Sequence, residues 1–501
     1  MLTLNADKSS SLLRLPVLAG MLAAYAFMAY RIASLPNQWL GVLIVLCAGV
    51  IGMVFIRQRH FALLTAMALV IPLVGFDFSL YYNAKLGGDH RIAASLLDFT
   101  LLGLLAHYLL TVPHAERRPL RPSALKWLMA CLFLLALLSV NLAKEPALTY
   151  FEIIRLFRMM ALAWIVTKCV NSQPALQRVL LALFAITIAE GALGFAQKLT
   201  GGQLALGIVG GSEKVMTQAL NTGDTAIRVA GTFGHTNQFA RYLGLVLPLA
   251  LAVVIAAPKK SHRLIASAAL VMGGGALVAT LSRAAWIGVA LGSALVFGAM
   301  IMQPLLRARA VQSLKVILLL FVPFVLINIE TFIARFTSQD EGSFATREPM
   351  ARIALKIIQE HPLGIGYGNY RVILPRYGDP AEPFTLQAKV HNMYLLIAAE
   401  LGIGSLVVFL GILLVVFVQC LALTKRMAPD VGMVTIGIAG GLLAFAIHGM
   451  VDYEEIGRIP ILWLHIGLVA AITRLHLNTG PGVRELNLNR GNNRHARNGV
   501  L

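Results

Sequence analysis

Arg283, Arg347 and His391 are residues of this chain suited to chemistry on an anionic substrate. The planar fork of an arginine binds phosphate oxygens bidentately and stays charged. Two such groups can stabilise the negative charge that develops on a departing phosphate or pyrophosphate. A histidine, with an ordinary pKa of about 6.5, can accept the proton of an attacking hydroxyl or orient it. Arg347 belongs to the stretch Ile329 to Val390, which interrupts an otherwise apolar chain and also carries Arg335, Arg352, Arg371 and Arg376. That stretch runs into Lys389-Val390-His391-Asn392 and then into another apolar segment. Connections longer than roughly 15 residues are usually functional or disordered, and this one reads as the catalytic loop of a membrane enzyme that handles an anionic, lipid-linked substrate.

Further candidates lie at other junctions. Arg283 sits in Leu281-Ser282-Arg283-Ala284-Ala285-Trp286, the outer tip of a helix pair, where the positive-inside bias would not place it. Its alternative role is to snorkel to lipid phosphate. Arg155 and Arg158, three residues apart, share one helix face; they suit either a phosphate or, with Glu152, a structural ion pair. In Gly231-Thr232-Phe233-Gly234-His235-Thr236-Asn237, Gly234 permits a sharp turn, and Thr236 or Asn237 can cap the helix that follows. The first amides of that helix would suit a phosphate or carboxylate, which makes His235, Asn237 and Arg241 candidates for substrate contact, with a plain interfacial histidine as the alternative at His235. Asn392 joins them as the neighbour of His391. In the loop, Thr346 to Glu360 is predicted to be an amphipathic helix with Met350, Ile353, Ala354, Ile357 and Ile358 on one face. Arg347 borders that face, and Arg352 lies opposite in solvent. Glu348, Asp452 and Glu454 are reserve bases.

The elements that position these residues are membrane helices. Hydrophobic residues make up 58% of the 501 positions and charged residues 13%, against about 25% charged in soluble domains, and mean hydropathy is +0.76. Apolar runs of the length that crosses a bilayer give an all-α, polytopic transmembrane bundle of 12–14 spans. The expected segments run from 12–32 and 39–56, through 61–81, 92–112, 150–168 and 314–333, to 391–421 and 459–475. Basic connections such as Lys259 to Arg263 and Lys425-Arg426 mark the cytoplasmic side. Both termini then lie in the cytoplasm, and the loops 82–91, 197–235, 328–390 and 450–458 lie outside. The net charge of +19 needs no nucleic acid, because much of it sits in cytoplasmic loops and in the basic tail 476–501, which reads as disordered beside anionic lipid. The cysteines Cys47, Cys131, Cys169 and Cys420 suggest neither a disulfide framework nor a metal site. No cofactor or metal is called for. A flippase or transporter of an anionic or lipid-linked substrate is the competing class, although no internal repeat of the kind common in transporters is visible.

Gly231-Thr-Phe-Gly-His-Thr-Asn, Leu281-Ser-Arg-Ala-Ala-Trp, Arg347-Glu-Pro-Met-Ala-Arg, His361-Pro-Leu-Gly-Ile-Gly-Tyr-Gly-Asn and Val390-His-Asn-Met-Tyr-Leu with Glu400-Leu-Gly together resemble the O-antigen ligase and polysaccharide polymerase superfamily. The resemblance covers roughly residues 195–475, and the first 190 residues match only as a row of spans. It implies a GT-C-like fold whose core is 191–475, following N-terminal helices in 1–190 and including a periplasmic loop at 334–390. It also implies an inner-membrane, metal-independent, inverting glycosyltransferase with its active site facing the periplasm. Such an enzyme moves a glycan from undecaprenyl pyrophosphate to a hydroxyl of another glycan or of lipid A-core, in contact with the bilayer and with other polysaccharide assembly proteins. By the matched motifs, Arg283, Arg347 and His391 correspond to the family's functional arginines and loop histidine. Thr236 stands where many relatives have proline. The glycine-rich segment 201–223 tilts the reading towards a polymerase rather than a ligase.

Overall fold

A computed structural model describes residues 56, 58–73, 77–82, 91–112, 123–201, 216–219, 225–327, 329–337, 347–378, 388–427 and 429–479. The expected spans 12–32 and 39–56, apart from residue 56, and the tail beyond residue 479 lie outside them. Residues 63–501 form one compact unit and Met1–Ala62 another; the helices that build the site belong to the larger unit.

Among the described residues, α1 (Arg59–Val70) precedes the antiparallel ribbon β1–β2 (Asp77–Tyr82, Arg91–Ser95). Then come α2 (Leu96–Thr111), α3 (Ala124–Leu138), α4 (Pro146–Cys169) and α5 (Gln173–Leu199). A second ribbon, β3–β4 (Met216–Ala219, Thr225–Arg228), leads into α6 (Thr236–Ala256), α7 (Lys260–Ala279), α8 (Arg283–Ile301) and α9 (Pro304–Ile327). The segment between α9 and residue 388 holds α10 (Ile329–Thr337), α11 (Arg347–Glu360) and the short α12 (Tyr370–Ile373). The chain returns through α13 (Met393–Leu401) and finishes with α14 (Ile403–Arg426), α15 (Pro429–His448) and α16 (Pro460–Thr479). Nine helices among the described residues are long and apolar enough to cross a membrane, and the fold is an all-α polytopic bundle.

The centre of the bundle is α6. Its sequence is apolar on every side after Arg241, and 94% of its most apolar window is buried, as expected of a helix surrounded by others. It packs against α7, α8 and α15, while α5 lies on α7, α14 on α15 and α16 on α4. The α8–α15 crossing is close because glycines face each other: a Cβ on Gly292 would lie 2.3 Å from the carbonyl oxygen of Gly440. Gly292→Val is therefore expected to force these helices apart and to lower stability by about 1–3 kcal/mol, the usual range for overpacking. Thermal unfolding in detergent reads this directly.

Three boundaries differ from the sequence expectation. The predicted span 61–81 stops at Val70, ahead of Pro72, which can supply no amide hydrogen to continue the helix, and the aromatic-rich Asp77–Tyr82 becomes a strand. The span expected at 92–112 starts four residues late. Ser95 closes β2 and forms a capping box with Asp98, which satisfies two amides at the start of α2. The span expected at 391–421 is two helices, broken at Gly402, where φ is +87° and Leu363 packs so tightly that a Cβ would lie 2.6 Å from its carbonyl carbon. The break lets α11 and α12 lean on α13. Met350, Ala354 and Ile357 of α11 are buried with Ile365, Tyr370, Leu374, Val390, Leu396 and Ala399, and Ile353 and Ile358 pack alongside. The apolar face predicted for this helix is thus the face it uses.

Candidate functional site

The site is built where the ends of α6, α7, α8, α13 and α15 meet. Arg241, in the second turn of α6 and buried, donates from Nη2 to Asp452 Oδ2 at 2.5 Å and to the Tyr453 carbonyl at 3.0 Å; its Nη1 lies 3.5 Å from Glu454 Oε2. Asp452, Tyr453 and Glu454 come from the link between α15 and α16. His391 Nδ1 lies 3.7 Å from Asp452 Oδ1, and its ring stands edge-on to Tyr453 with centroids 5.3 Å apart. Asn237 donates to the same Asp452 oxygen at 3.4 Å. One buried carboxylate thus gathers His391 with Arg241 and Asn237, which lie 211 and 215 positions before Asp452 in sequence.

Burial alone would raise the Asp452 carboxyl, but the Arg241 guanidinium and the nearby histidines hold it well below the usual carboxylate range. Asp452 is therefore an anion at any physiological pH and can orient an imidazole or stabilise an imidazolium beside it. Glu454 behaves oppositely. Burial, reinforced by the Glu455 charge and only partly opposed by Arg241, pushes it up to about 7, and it accepts a hydrogen bond from Gln238 at 2.6 Å. Because the folded state holds this proton up to a higher pH than the unfolded chain does, stability contributed here falls as pH rises from about 4.5 to about 7. Glu454→Gln is expected to flatten that decline, measured as melting temperature at pH 5 and pH 8; an unchanged slope would contradict it.

The cationic wall is built around the α7–α8 corner. Leu281 takes a left-handed conformation there, φ +55°, which a bulky residue adopts only where its surroundings enforce it. Its carbonyl accepts from the buried Arg335 Nε at 2.9 Å, and Arg283 Nη1 donates to the Arg335 carbonyl at 3.3 Å. Trp286 adds a bond to the Leu277 carbonyl and packs on Phe332. Ser282 Oγ lies 3.5 Å from His448 Nε2. Arg347, at the start of α11, is half-buried and within electrostatic reach of His448, whereas Arg352 is exposed and paired with Glu348 on its own helix. Arg283, Arg347, His391, Asn237 and Arg241 therefore occupy the same end of the bundle.

Other candidates have different surroundings. His235, not Thr236 or Asn237, is the N-cap of α6: its Nδ1 accepts from the Asn237 amide at 3.2 Å, which an imidazole acceptor can do as well as a hydroxyl, and Gly234 makes the preceding turn at φ +69°. Asn392 caps α13 by accepting from the amides of Tyr394 and Leu395, both at 3.0 Å, and donates to the Met450 carbonyl at 2.9 Å. Its side chain thus fixes where His391 emerges. Arg155 pairs with Glu152 at 2.5 Å, and Arg158 binds Asp98 and Ser95 at the start of α2. Both lie on α4, each held by a carboxylate.

Sequence reasoning passed over several residues found here. Arg335 stood in the loop with no role assigned to it, although it ends an amphipathic helix, as a cation held against the bundle would. Ser282 and His448 gave no signal apart from their neighbours. Asp452 and Glu454, expected only as reserve bases, are the partners of Arg241, and Glu455, which was not singled out, shares their acid-dense run, a usable signal in a chain with only 23 Asp and Glu. Among the described residues no three His, Cys, Asp or Glu side chains are grouped so as to hold a metal ion. The opposite end of α7 carries Lys259 and Lys260, and the far end of α14, which follows α13, carries Lys425 and Arg426.

Residues 268–410 match the family model described as O-Antigen ligase. That span takes in Arg283, Arg335, Arg347, His391 and Asn392 and leaves His235, Arg241 and Asp452 outside. No curated protein matches the chain. The matched segment supplies the cationic corner, α10 to α13 and the loop histidine, and through it this multi-pass membrane protein is similar to the O-antigen ligase-like superfamily.

Proposed function

We propose that the protein is an inner-membrane glycosyltransferase that moves a glycan from undecaprenyl pyrophosphate to an acceptor hydroxyl on the periplasmic side. The observation that carries this reading is the meeting of His391 with the ionised Asp452 at the end of the bundle that also holds Arg283, Arg335 and Arg347. His391 takes the proton of the acceptor hydroxyl. The hydroxyl oxygen attacks the anomeric carbon, the bond from that carbon to the pyrophosphate oxygen breaks, and the electron pair leaves with the pyrophosphate, inverting the anomeric centre. Charge growing on the leaving group is met by preorganised guanidinium groups in a poorly hydrated site, where such stabilisation is large. The basic ends opposite this site suit the cytoplasmic face, which supports a periplasmic site. Polymerisation remains the preferred acceptor reading over ligation to lipid A-core; the glycine-rich segment 201–223 that favours it lies mostly outside the described residues.

Arg347→Ala is expected to lower transfer by about 10²-fold, the scale of losing one transition-state donor, while donor binding changes by no more than about 3-fold because the interaction matters chiefly as charge develops. Turnover with the host's extracted lipid-linked glycan, alongside donor binding to detergent-purified protein, measures both. In the host, gene deletion followed by lipopolysaccharide gels and sizing of secreted polysaccharide separates the acceptors. Core lacking all O-antigen indicates a ligase, and core with one repeat or accumulated short lipid-linked units indicates a polymerase. Normal glycans in both assays would overturn the reading.

A further inference from the structure

Beneath the site lies a second set of buried charges. Lys389 Nζ donates to Glu455 Oε1 at 2.5 Å and to Glu400 Oε1 at 3.2 Å, and all three side chains are buried. Glu400 also accepts from the amides of Gly368 at 2.9 Å and Tyr370 at 3.2 Å. Arg458, three residues after Glu455, reaches Glu152 on α4 at 2.6 Å. Burying ions is costly, and such a cluster adds little to stability compared with an apolar core. Its position suggests what it does instead.

Lys389 is two residues before His391, and Glu455 is three residues after Asp452. On the other side of His391, Asn392 Nδ2 bonds the Met450 carbonyl, and the Met393 amide bonds the carbonyls of Gly449 at 2.8 Å and Asp452 at 3.2 Å. The segment carrying His391 is thus tied to the segment carrying Asp452 both before and after the histidine. The later ties are backbone and cap bonds that any helix start can make, whereas the earlier one is a single buried ion pair.

We propose that the Lys389–Glu455 pair, backed by Glu400, is a positioning device that sets the register of His391 against Asp452. Lys389 and Glu455 touch no reacting atom. They fix the 3.7 Å relation between imidazole and carboxylate, and Glu400 passes the same constraint to the Gly368–Tyr370 turn. The charges suit this role, since burial is outweighed at Lys389 by its two carboxylates, which raise its amine, and at Glu455 by Lys389 and Arg458, which hold its carboxyl well below the usual range. The pair therefore stays ionised across the working pH of the site.

This inference rests on His391 and Asp452 acting as the base and its orienter, so the experiment includes both. Lys389→Met, the charge-balanced double variant Lys389→Met with Glu455→Gln, and Lys389→Arg are purified in detergent. Turnover per monodisperse molecule is measured with lipid-linked glycan extracted from a host strain lacking the gene. A misplacement of about 1 Å at a reacting group can cost 10²-fold, so Lys389→Met and the double variant are expected to lose about 30- to 100-fold in kcat with KM for the donor within about 3-fold. Lys389→Arg is expected to recover most of the loss. In an Asp452→Asn background the Lys389→Met loss should shrink to less than about 3-fold, because residues acting through one another are non-additive. Equal losses in both backgrounds, or normal kcat in the charge-balanced variant, would overturn the positioning role. Undiminished transfer by His391→Ala or Asp452→Asn would overturn instead the functional reading on which it stands.

Discussion

His391→Ala is expected to remove transfer almost completely, by about 10³-fold in kcat, the middle of the range for a positioned general base, with the protein still folded. The side chain is about a third exposed, 32%, so its loss leaves no deep cavity, and α13 keeps its cap through Asn392. Unchanged melting temperature and unchanged donor binding should accompany the lost turnover. A combined fall in stability and yield would make His391 a structural residue and reopen the choice of base among Asp452 and Glu454. His391→Gln is the informative companion. It keeps a hydrogen-bonding group at the position but cannot take up a proton near neutral pH, so it too should be nearly inactive if the proton is what counts.

Arg241→Ala is expected to act in the opposite manner, through the fold. Arg241 is the cation shared by Asp452 and Glu454, with side chains only 4%, 5% and 10% exposed. Removing one partner of a buried ion pair leaves an uncompensated charge and costs about 3–5 kcal/mol. The variant should melt far below the wild type or fail to accumulate in the membrane, and lowering the pH should restore part of the difference by protonating Asp452, whose carboxylate loses the cation that held it ionised. Arg241→Ala with Asp452→Asn, which removes charge from both sides, should be more stable than Arg241→Ala alone. If both variants melt like the wild type, the pair carries no structural load, and Arg241 would be left as a cation for substrate alone.

Much of the architecture could be read from the chain because membrane helices advertise themselves through long apolar runs, and the amphipathic pattern of residues 347–360 named its own buried face. The misplaced boundaries share one cause. Hydropathy does not distinguish a helix from a short ribbon such as Asp77–Tyr82, nor does it register a break at a single glycine such as Gly402, where the backbone geometry is set by Leu363 on a distant segment. The candidate site was legible to the extent that arginines and histidines at the ends of membrane helices are costly enough to need a reason. What could not be read was pairing. Arg155 with Glu152 is local and foreseeable, but Arg241 with Asp452 and Lys389 with Glu455 join residues whose proximity exists only once the helices are packed. The capping role of His235 was likewise hidden, since an imidazole is an unusual acceptor at a helix start.

The most direct test of glycan transfer at this site is reconstitution into proteoliposomes with host-extracted lipid-linked glycan on the lumenal and the external leaflet in separate preparations. Product glycan and released polyprenyl pyrophosphate are both quantified for the wild type and His391→Ala. Transfer from one leaflet only, with stoichiometric release of the pyrophosphate lipid and loss of both products in the variant, is the predicted result. Movement of intact lipid-linked glycan between leaflets without cleavage, unaffected by His391→Ala, would contradict it and identify the protein as a transporter.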